Sequence, residues 1–372
     1  MKVTLERSAL LKSLGHIHRV VERRNTIPIL SNVLLRAVDQ SLHFKATDLD
    51  LEVVDSTAAD IGQSGATTLP AHTLYEIVRK LPDGAQVSLE LGANEGQLLL
   101  RSGRSRFTLQ SLPESDFPDI SVGEFDNTFS LAAGDLKKLI DKTQFAISTE
   151  ETRYYLNGIY MHTLDVDGHT MLRAVATDGH RLARVEIPAP AGSAGMPGVI
   201  IPRKAVAELL KLLEETADDI NVELSATKVR FTVGNVQLTS KLIDGTFPDY
   251  NRVIPSGNDK RLVVDRDPFA AAVDRVSTIS SERGRAVKLS LADGKMTLTV
   301  TNPDSGTATE EVEVDYDSAP MEIGFNARYL LDIASQLDSD TALFKLSDSG
   351  SPTIVQDRDG AAALYVLMPM RV

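Results

Sequence analysis

Two short signatures recur in this chain at one fixed offset. Thr47-Asp48 is followed 70 positions later by Phe117-Pro118-Asp119, and Thr177-Asp178 is followed 70 positions later by Phe247-Pro248-Asp249. Each member of the second pair lies 130 residues after its counterpart. A shared order at a shared spacing marks duplicated structural units. Two such units within 372 residues leave about 120 residues after Pro255, room for a third. The expected boundaries are 1–125, 126–255 and 256–372, and each unit is long enough to bury a core of its own.

Local patterning gives the units their content. In the first, Lys2–Leu5 alternates as a strand, and Ser8 is a candidate cap for a helix with Ala9, Leu10, Leu14, Ile17, Val20 and Val21 on one face. Ile29–Val38, Leu42–Ala46 and Leu49–Val54 read as strands, with Thr47-Asp48 in the connection between the last two. Thr67–Leu69 ends at Pro70, Ala71–Leu81 is a second helix, and three more strands follow. The second unit repeats this with helices over Ala133–Ile147 and Arg203–Leu213, and the third with helices over Pro268–Ser280 and Asn326–Leu337. Thr301-Asn302 stands where the Thr-Asp pairs stood. The expected class is α+β, each unit being strand–helix–strands, twice. The helices of the first two units keep basic residues outward, among them Lys12, Arg19, Arg79, Lys137, Lys138 and Lys142.

Composition narrows function. The net charge of −13 disfavours a protein that grips DNA along a broad basic face, though not one that meets it on a local surface. The absence of cysteine excludes disulfides, thiolate metal sites and cysteine nucleophiles. The N-terminal stretch lacks the apolar core of a signal peptide, and no apolar run approaches the roughly 20 residues of a membrane span, so a soluble, cytoplasmic protein is expected. Asp178, His180 and Arg181 invite a hydrolase reading, with Asp178 orienting His180 as a general base. No nucleophile elbow, phosphate-binding loop or zinc-protease motif accompanies them, and the seven histidines show no metal-ligand spacing. Because Thr47-Asp48 recurs without the His and Arg, the shared pair is better read as a strand-connection device.

Several long segments resemble the bacterial DNA polymerase III beta subunits, the sliding clamps. They include Thr26-Ile27-Pro28-Ile29-Leu30, Arg101–Phe107, Arg153-Tyr154-Tyr155-Leu156-Asn157-Gly158, Ala176–Leu182, Met321–Asn326 and the terminal Tyr365–Arg371, in the family's order and across the whole chain. The resemblance implies three repeated clamp domains, each with two helices packed on antiparallel sheets, and a chain that forms half of a six-domain dimeric ring. It implies a non-catalytic processivity factor that encircles duplex DNA, without cofactor or metal. Its partners would be the polymerase III alpha subunit, the clamp loader, and other polymerases and repair proteins that dock short linear peptides. A peptide-binding scaffold with only a minor DNA role is the alternative.

The resemblance also assigns residues. Arg24, Tyr154 and Tyr155 would contact DNA, joined by Arg203 and Lys204; Lys137, Lys138 and Arg79 follow from helix-face reasoning alone. Glu150 stands where relatives can carry a neutral DNA-contacting residue. The partner-peptide pocket would draw Leu156, Thr177, Gly179, His180, Arg181, Leu182, Pro248, Arg252 and Val253 from the second unit. The third would add Asn326, Tyr329, Val366, Met368, Pro369, Met370 and Arg371, with Gly350 and Pro352 where relatives have lining residues of other types. Methionines, leucine and proline suit such a surface, being apolar and adaptable. Ring closure would set Arg104, Phe107 and Leu109 against Thr278 and Ile279 of the other copy. Phe107 and Leu109 are apolar where the second unit has Gln237 and Thr239, as an edge strand awaiting a partner would be.

Overall fold

A computed structural model describes residues 1–92, 96–120, 123–280 and 285–372. The first repeat runs β1 (Lys2–Glu6), α1 (Arg7–Ile17), β2 (Asn32–Val38), β3 (Ser41–Thr47), β4 (Leu51–Ala58), β5 (Asp60–Gln63), β6 (Gly65–Pro70), α2 (Ala71–Lys80), β7 (Gln86–Leu91), β8 (Gln97–Ser102) and β9 (Ser105–Gln110). The second runs β10 (Asn127–Ala132), α3 (Ala133–Asp141), β11 (Gly158–Val166), β12 (His169–Thr177), β13 (Arg181–Pro188), β14 (Val199–Pro202), α4 (Arg203–Leu213), β15 (Asp219–Leu224), β16 (Lys228–Val233) and β17 (Val236–Lys241). The third runs β18 (Lys260–Asp265), α5 (Arg266–Ser277), β19 (Ala286–Ala292), β20 (Lys295–Asn302), β21 (Gly306–Glu313), β22 (Met321–Asn326), α6 (Ala327–Ala334), β23 (Thr341–Leu346), β24 (Thr353–Gln356) and β25 (Ala363–Leu367). Apart from β5, the three element orders are the same.

Each repeat splits into two half-sheets. Its first strand joins its last three, as in β1-β7-β8-β9, and its middle three join the strand before the second helix, as in β6-β2-β3-β4. The halves then fuse across repeats: β17 pairs antiparallel with β4, and β25 pairs antiparallel with β13. Two eight-stranded sheets result, β10-β15-β16-β17-β4-β3-β2-β6 and β14-β11-β12-β13-β25-β24-β23-β18. This explains why the described chain falls into two compact units rather than three. One comprises Met1–Leu136, Pro190–Met196 and Lys204–Leu242; the other comprises Lys137–Ala189, Pro197–Arg203 and Ile243–Val372. The central repeat is shared because each of its half-sheets is hydrogen-bonded into a neighbour's.

Strand alternation and helix periodicity build the cores. Leu10, Leu14 and Ile17 of α1 are buried, as are Leu74 and Val78 of α2 in the same unit. Phe269, Ala272 and Val273 of α5 and Leu330 and Ile333 of α6 do the same in the other unit. Some sequence expectations shift. Ser8 does not cap α1, which begins at Arg7; its hydroxyl donates to Glu6 instead. That helix stops at Ile17, short of Val20 and Val21, where the His18 ring nitrogen Nδ1 takes up the Leu14 carbonyl at 2.8 Å. Helix α3 ends at Asp141 rather than Ile147, and the Thr143 hydroxyl returns to the Leu139 carbonyl at 2.6 Å. Residues Pro28–Ser31 form a 3-10 turn before β2. Residue patterning named no range for strands β5, β11, β12, β13, β17, β21, β23, β24 or β25. Among the described residues no helix is long and apolar enough to cross a membrane.

Candidate functional site

The repeated Thr-Asp pair is a turn device. Thr47 Oγ1 accepts from the Leu49 N–H, and Asp48 Oδ1 accepts from Asp50 and Leu51 N–H. Thr177 Oγ1 and Asp178 Oδ1 make the same bonds to Gly179, His180 and Arg181. The third copy keeps one of them, Asp304 N–H to Asn302 Oδ1. The turn needs a left-handed residue at its third position, φ +78° at Leu49 and +88° at Gly179. A Cβ at 179 would first meet Arg153 Nη1, at 2.5 Å, the movable end of a long side chain, so the backbone angle is what favours glycine. Asp178's other oxygen accepts from Arg181 Nε at 3.1 Å, so the carboxylate serves the turn and the arginine.

Arg181 is a strut. Its Nη1 donates to Asp332 Oδ2 of α6 at 2.5 Å and its Nη2 to the Phe145 carbonyl at 2.7 Å. Its guanidinium lies 4.2 Å from the centre of the Tyr329 ring. All three of its side-chain nitrogens are thus occupied, and the side chain is 10 % exposed. The resemblance places this arginine in the peptide pocket; the structure has it joining β13 to α6. Asn326 likewise has an internal task, capping α6 by accepting from the Arg328 and Tyr329 N–H groups.

Between β13 and β25 an apolar cluster gathers Leu156, Val175, Leu182, Ile200, Phe247, Tyr250, Ile354, Leu364 and Val366, with Tyr155, Tyr160, Ile243 and Ile254 packed around it. Exposed Val253 and Met368, and the exposed Gly179 and His180, stand at its rim. Pro248 and Arg252 belong to the Phe247–Val253 segment, and the Arg252 side chain is 84 % exposed. The predicted pocket residues Leu156, Leu182 and Val366 are therefore buried members of this cluster. Phe247, Tyr250, Val175, Ile354 and Leu364 went unrecognised in the sequence, although the 130-residue offset sets Val175 and Leu182 against Lys45 and Glu52, a visible polar-to-apolar change. Tyr250 is pinned from behind. Its hydroxyl accepts from Arg173 Nη1 at 3.0 Å and sits 2.9 Å from His162 Nε2, while Arg173 pairs with Glu186 at 2.6 Å. Burial pushes the His162 imidazole below its ordinary pKa.

The terminal segment closes the same region. Met368 N–H donates to the His180 carbonyl at 2.9 Å, and Met370 N–H to the Gly324 carbonyl at 2.8 Å. A Cβ on Gly324 would lie 2.3 Å from Val372 Cγ1 and 2.7 Å from the Met370 carbonyl oxygen. Pro352 and Gly350 lie in the loop ahead of β24, where the Pro352 carbonyl accepts from Asn258.

The basic candidates differ in freedom. Arg24, Tyr154 and Arg203 are exposed, and Tyr155 is half-buried. Lys204 is held by the Glu22 and Asp48 carboxylates, both at 2.5 Å, and by the Val20 carbonyl. Lys137 pairs with Asp141, Arg79 with Glu76, and Lys142 with Asp338. Glu150 is engaged by Arg153 at 2.6 Å.

Among the described residues β9, carrying Phe107 and Leu109, and β21 are edge strands, as are β5, β6, β10, β14, β18 and β22. Pairing sets Phe107 and Leu109 level with Leu238 and Ser240 rather than with Gln237 and Thr239, because they stand opposite Leu100 and Leu98 as those residues stand opposite Phe231 and Val229. Phe107 lines a cavity of about 530 Å³ with Ile77, Leu81 and His72. Thr278 caps α5, and the Ile279 carbonyl accepts from the Asn302 side chain at 2.8 Å.

The family described as DNA polymerase III beta subunit matches the chain three times: its N-terminal domain over residues 1–121, its central domain over 130–249 and its C-terminal domain over 251–371. The chain is 57 % identical over 372 residues to the beta sliding clamp of Caulobacter vibrioides and 40 % identical over 374 residues to that of Escherichia coli K12, covering all of each. Its fold superposes on the DnaN sliding clamp of Bartonella birtlesii bound to griselimycin, with a TM-score of 0.97, 58 % identity and full coverage of both chains. Against the Caulobacter crescentus pol III beta structure the TM-score is 0.96 at 57 % identity, again with full coverage of both.

Proposed function

The chain belongs to the DNA polymerase III beta-subunit family and is a sliding clamp for that polymerase, and from this premise we propose how it closes, holds DNA and receives partners. Two copies join head to tail into a ring of six domains, three from each chain with boundaries near 1–125, 126–255 and 256–372. The ring encircles duplex DNA and performs no catalysis of its own.

The observation that carries this reading is the half-sheet count. The edge of one kind of half-sheet meets the edge of the other kind twice within the chain, β17 on β4 and β25 on β13. The halves left over end in β9 and β21. Those are the strands equivalent to β17 and β4, so a second copy supplies the missing pairing. Carrying over the β17–β4 register, with Phe107 level with Leu238 and Leu109 with Ser240, sets Phe107 opposite Ala308 and Leu109 opposite Gly306 of that copy. The Phe107 cavity then has room for its Thr278–Ile279 corner. Contacts between unlike surfaces close into rings when the rotation allows.

Within the ring, Arg24, Tyr154 and Arg203 meet phosphate, with Tyr155, Lys204, Lys137 and Arg79 beside them. Weak, sequence-independent attraction suffices, because topology retains the DNA. This reconciles DNA binding with a net charge of −13. The apolar cluster between β13 and β25 receives short peptides from the polymerase alpha subunit, the clamp loader and other polymerases and repair proteins in the cytoplasm. We take griselimycin, to which the Bartonella birtlesii clamp is bound, to seat on the same cluster and so to serve as its probe.

Retention on DNA tests the proposal. Rings loaded on nicked circular DNA should stay bound and be lost once the circle is cut. Equal loss from both forms would refute encirclement.

A further inference from the structure

The β17–β4 seam and the β13–β25 seam are built to one plan. In the second seam Leu182 stands opposite Val366, Val366 opposite Ile354, and Val175 lies one strand further on, opposite Arg184. In the first seam the same stations are held by Glu52 opposite Thr239, Thr239 opposite Arg230, and Lys45 opposite Val54. Four apolar floor positions of the partner pocket thus correspond, station by station, to Lys45, Glu52, Thr239 and Arg230.

These polar groups interlock. Lys45 Nζ lies 3.5 Å from Glu52 and 3.2 Å from Asp119, and Arg230 Nε donates to Thr239 Oγ1 at 3.2 Å. The guanidinium of Arg230 also covers the Phe125 ring at 4.6 Å. The segment following Phe117-Pro118-Asp119 is drawn down, its Ile120 carbonyl accepting from Lys228 Nζ at 2.5 Å and its N–H facing Glu52 at 3.4 Å. Glu52 and Thr239 are 1 % and 2 % exposed; Glu52 Oε2 faces Lys45 and the Ile120 N–H while its Oε1 is buried without a hydrogen bond, so an apolar group entering here would strip the carboxylate of the partners it has.

We propose that Lys45, Glu52 and Arg230 determine partner stoichiometry: their charged cluster closes the first seam to apolar anchors, so each chain takes one partner segment, at the second seam. This rests on the partner-pocket reading above. The duplicated fold supplies two equivalent grooves per chain, and the side chains at four stations decide which one is open.

Griselimycin and the full-length dimer test it. Calorimetry on the wild type should give one site per chain, with hydrogen-exchange protection at Val175–Leu182 and Ile354–Val366 and none at Lys45–Glu52. Two sites per chain would overturn the inference; no binding at all would instead remove the pocket reading beneath it. Moving the charges, as Val175→Lys with Leu182→Glu, should weaken binding about 100-fold, against about tenfold for the double alanine variant. Equal losses would overturn the proposal, because lost apolar area alone would then account for both. The converse variant, Lys45→Val, Glu52→Leu, Arg230→Ile and Thr239→Val, should gain a second site when circular dichroism shows it folded. A folded variant that still binds one ligand per chain would count against the inference.

Discussion

Arg181 Nη1 meets Asp332 Oδ2 at 2.5 Å, joining a strand of the central repeat to a helix of the third. Arg181 directly precedes Leu182 of the apolar cluster and also holds Asp178 and the Phe145 carbonyl. Arg181→Ala would leave two partly buried carboxylates and a carbonyl without their donor. The expected loss is about 2–4 kcal/mol of stability, read as a lower denaturant midpoint. Arg181→Lys should recover less than half of it, because an ammonium cannot reproduce the planar fork. A midpoint unchanged in both variants would remove the strut role.

Gly324 and the terminal Val372 form one mechanical unit. Gly324→Ala should displace the tail and weaken griselimycin binding about tenfold, as overpacked sites do. Deleting Met370–Val372 should weaken it at least as much. Combining the two changes should cost nothing beyond the deletion, since the glycine acts through the tail. Additive losses in a titration series would contradict this coupling.

Phe107 and Leu109 lie on an edge strand of the first repeat. Replacing both by alanine should raise the dimer dissociation constant about 100-fold, corresponding to about 3 kcal/mol. Sedimentation at nanomolar concentration distinguishes monomer from dimer; an intact dimer there would exclude this edge from ring closure.

The free and the occupied cations should behave differently on DNA. Arg24→Ala and Arg203→Ala should each lower the slope of log affinity against log salt by about 1. Lys204→Ala should leave that slope nearly unchanged and cost about 1 kcal/mol of stability, because its ammonium already serves Glu22 and Asp48. A salt slope that falls as much for Lys204 as for Arg24 would reverse the assignment.

His16 introduces a pH dependence. Burial disfavours its charge, yet bonds to Asp55 at 2.8 Å and Glu215 at 3.0 Å outweigh it and hold the folded-state pKa above the ordinary 6.5. A raised folded pKa means that the stabilisation is fully present below pH 6.5 and is lost as pH rises through the folded value. Denaturation midpoints should therefore decline through that window in the wild type, and decline less in His16→Gln. Parallel curves would show that His16 contributes nothing.

Much of the fold was legible because duplication leaves local marks. The Thr-Asp turns recur because their side chains satisfy the N–H groups of the next two or three residues, a bond pattern confined to five consecutive positions. Helix faces such as Leu10, Leu14 and Ile17 were readable for the same reason, since periodicity is local. Helix ends were less so: His18 and Thr143 stop α1 and α3 through side-chain bonds to carbonyls four residues back, which hydrophobic spacing does not register.

The site divides along the same line. Local sequence and family resemblance determined three repeats, the Gly179 turn and the segments that border the partner cluster. Only tertiary structure decided which of those residues are buried, bracing or exposed, because Arg181 and Lys204 have their donors taken up by groups up to 184 positions away. Only strand pairing could show that Glu52 and Leu182 occupy one station on two seams. Spacing along the chain says that they correspond, while the pairing across β17–β4 and β13–β25 makes one part of an ionic cluster and the other part of an apolar one.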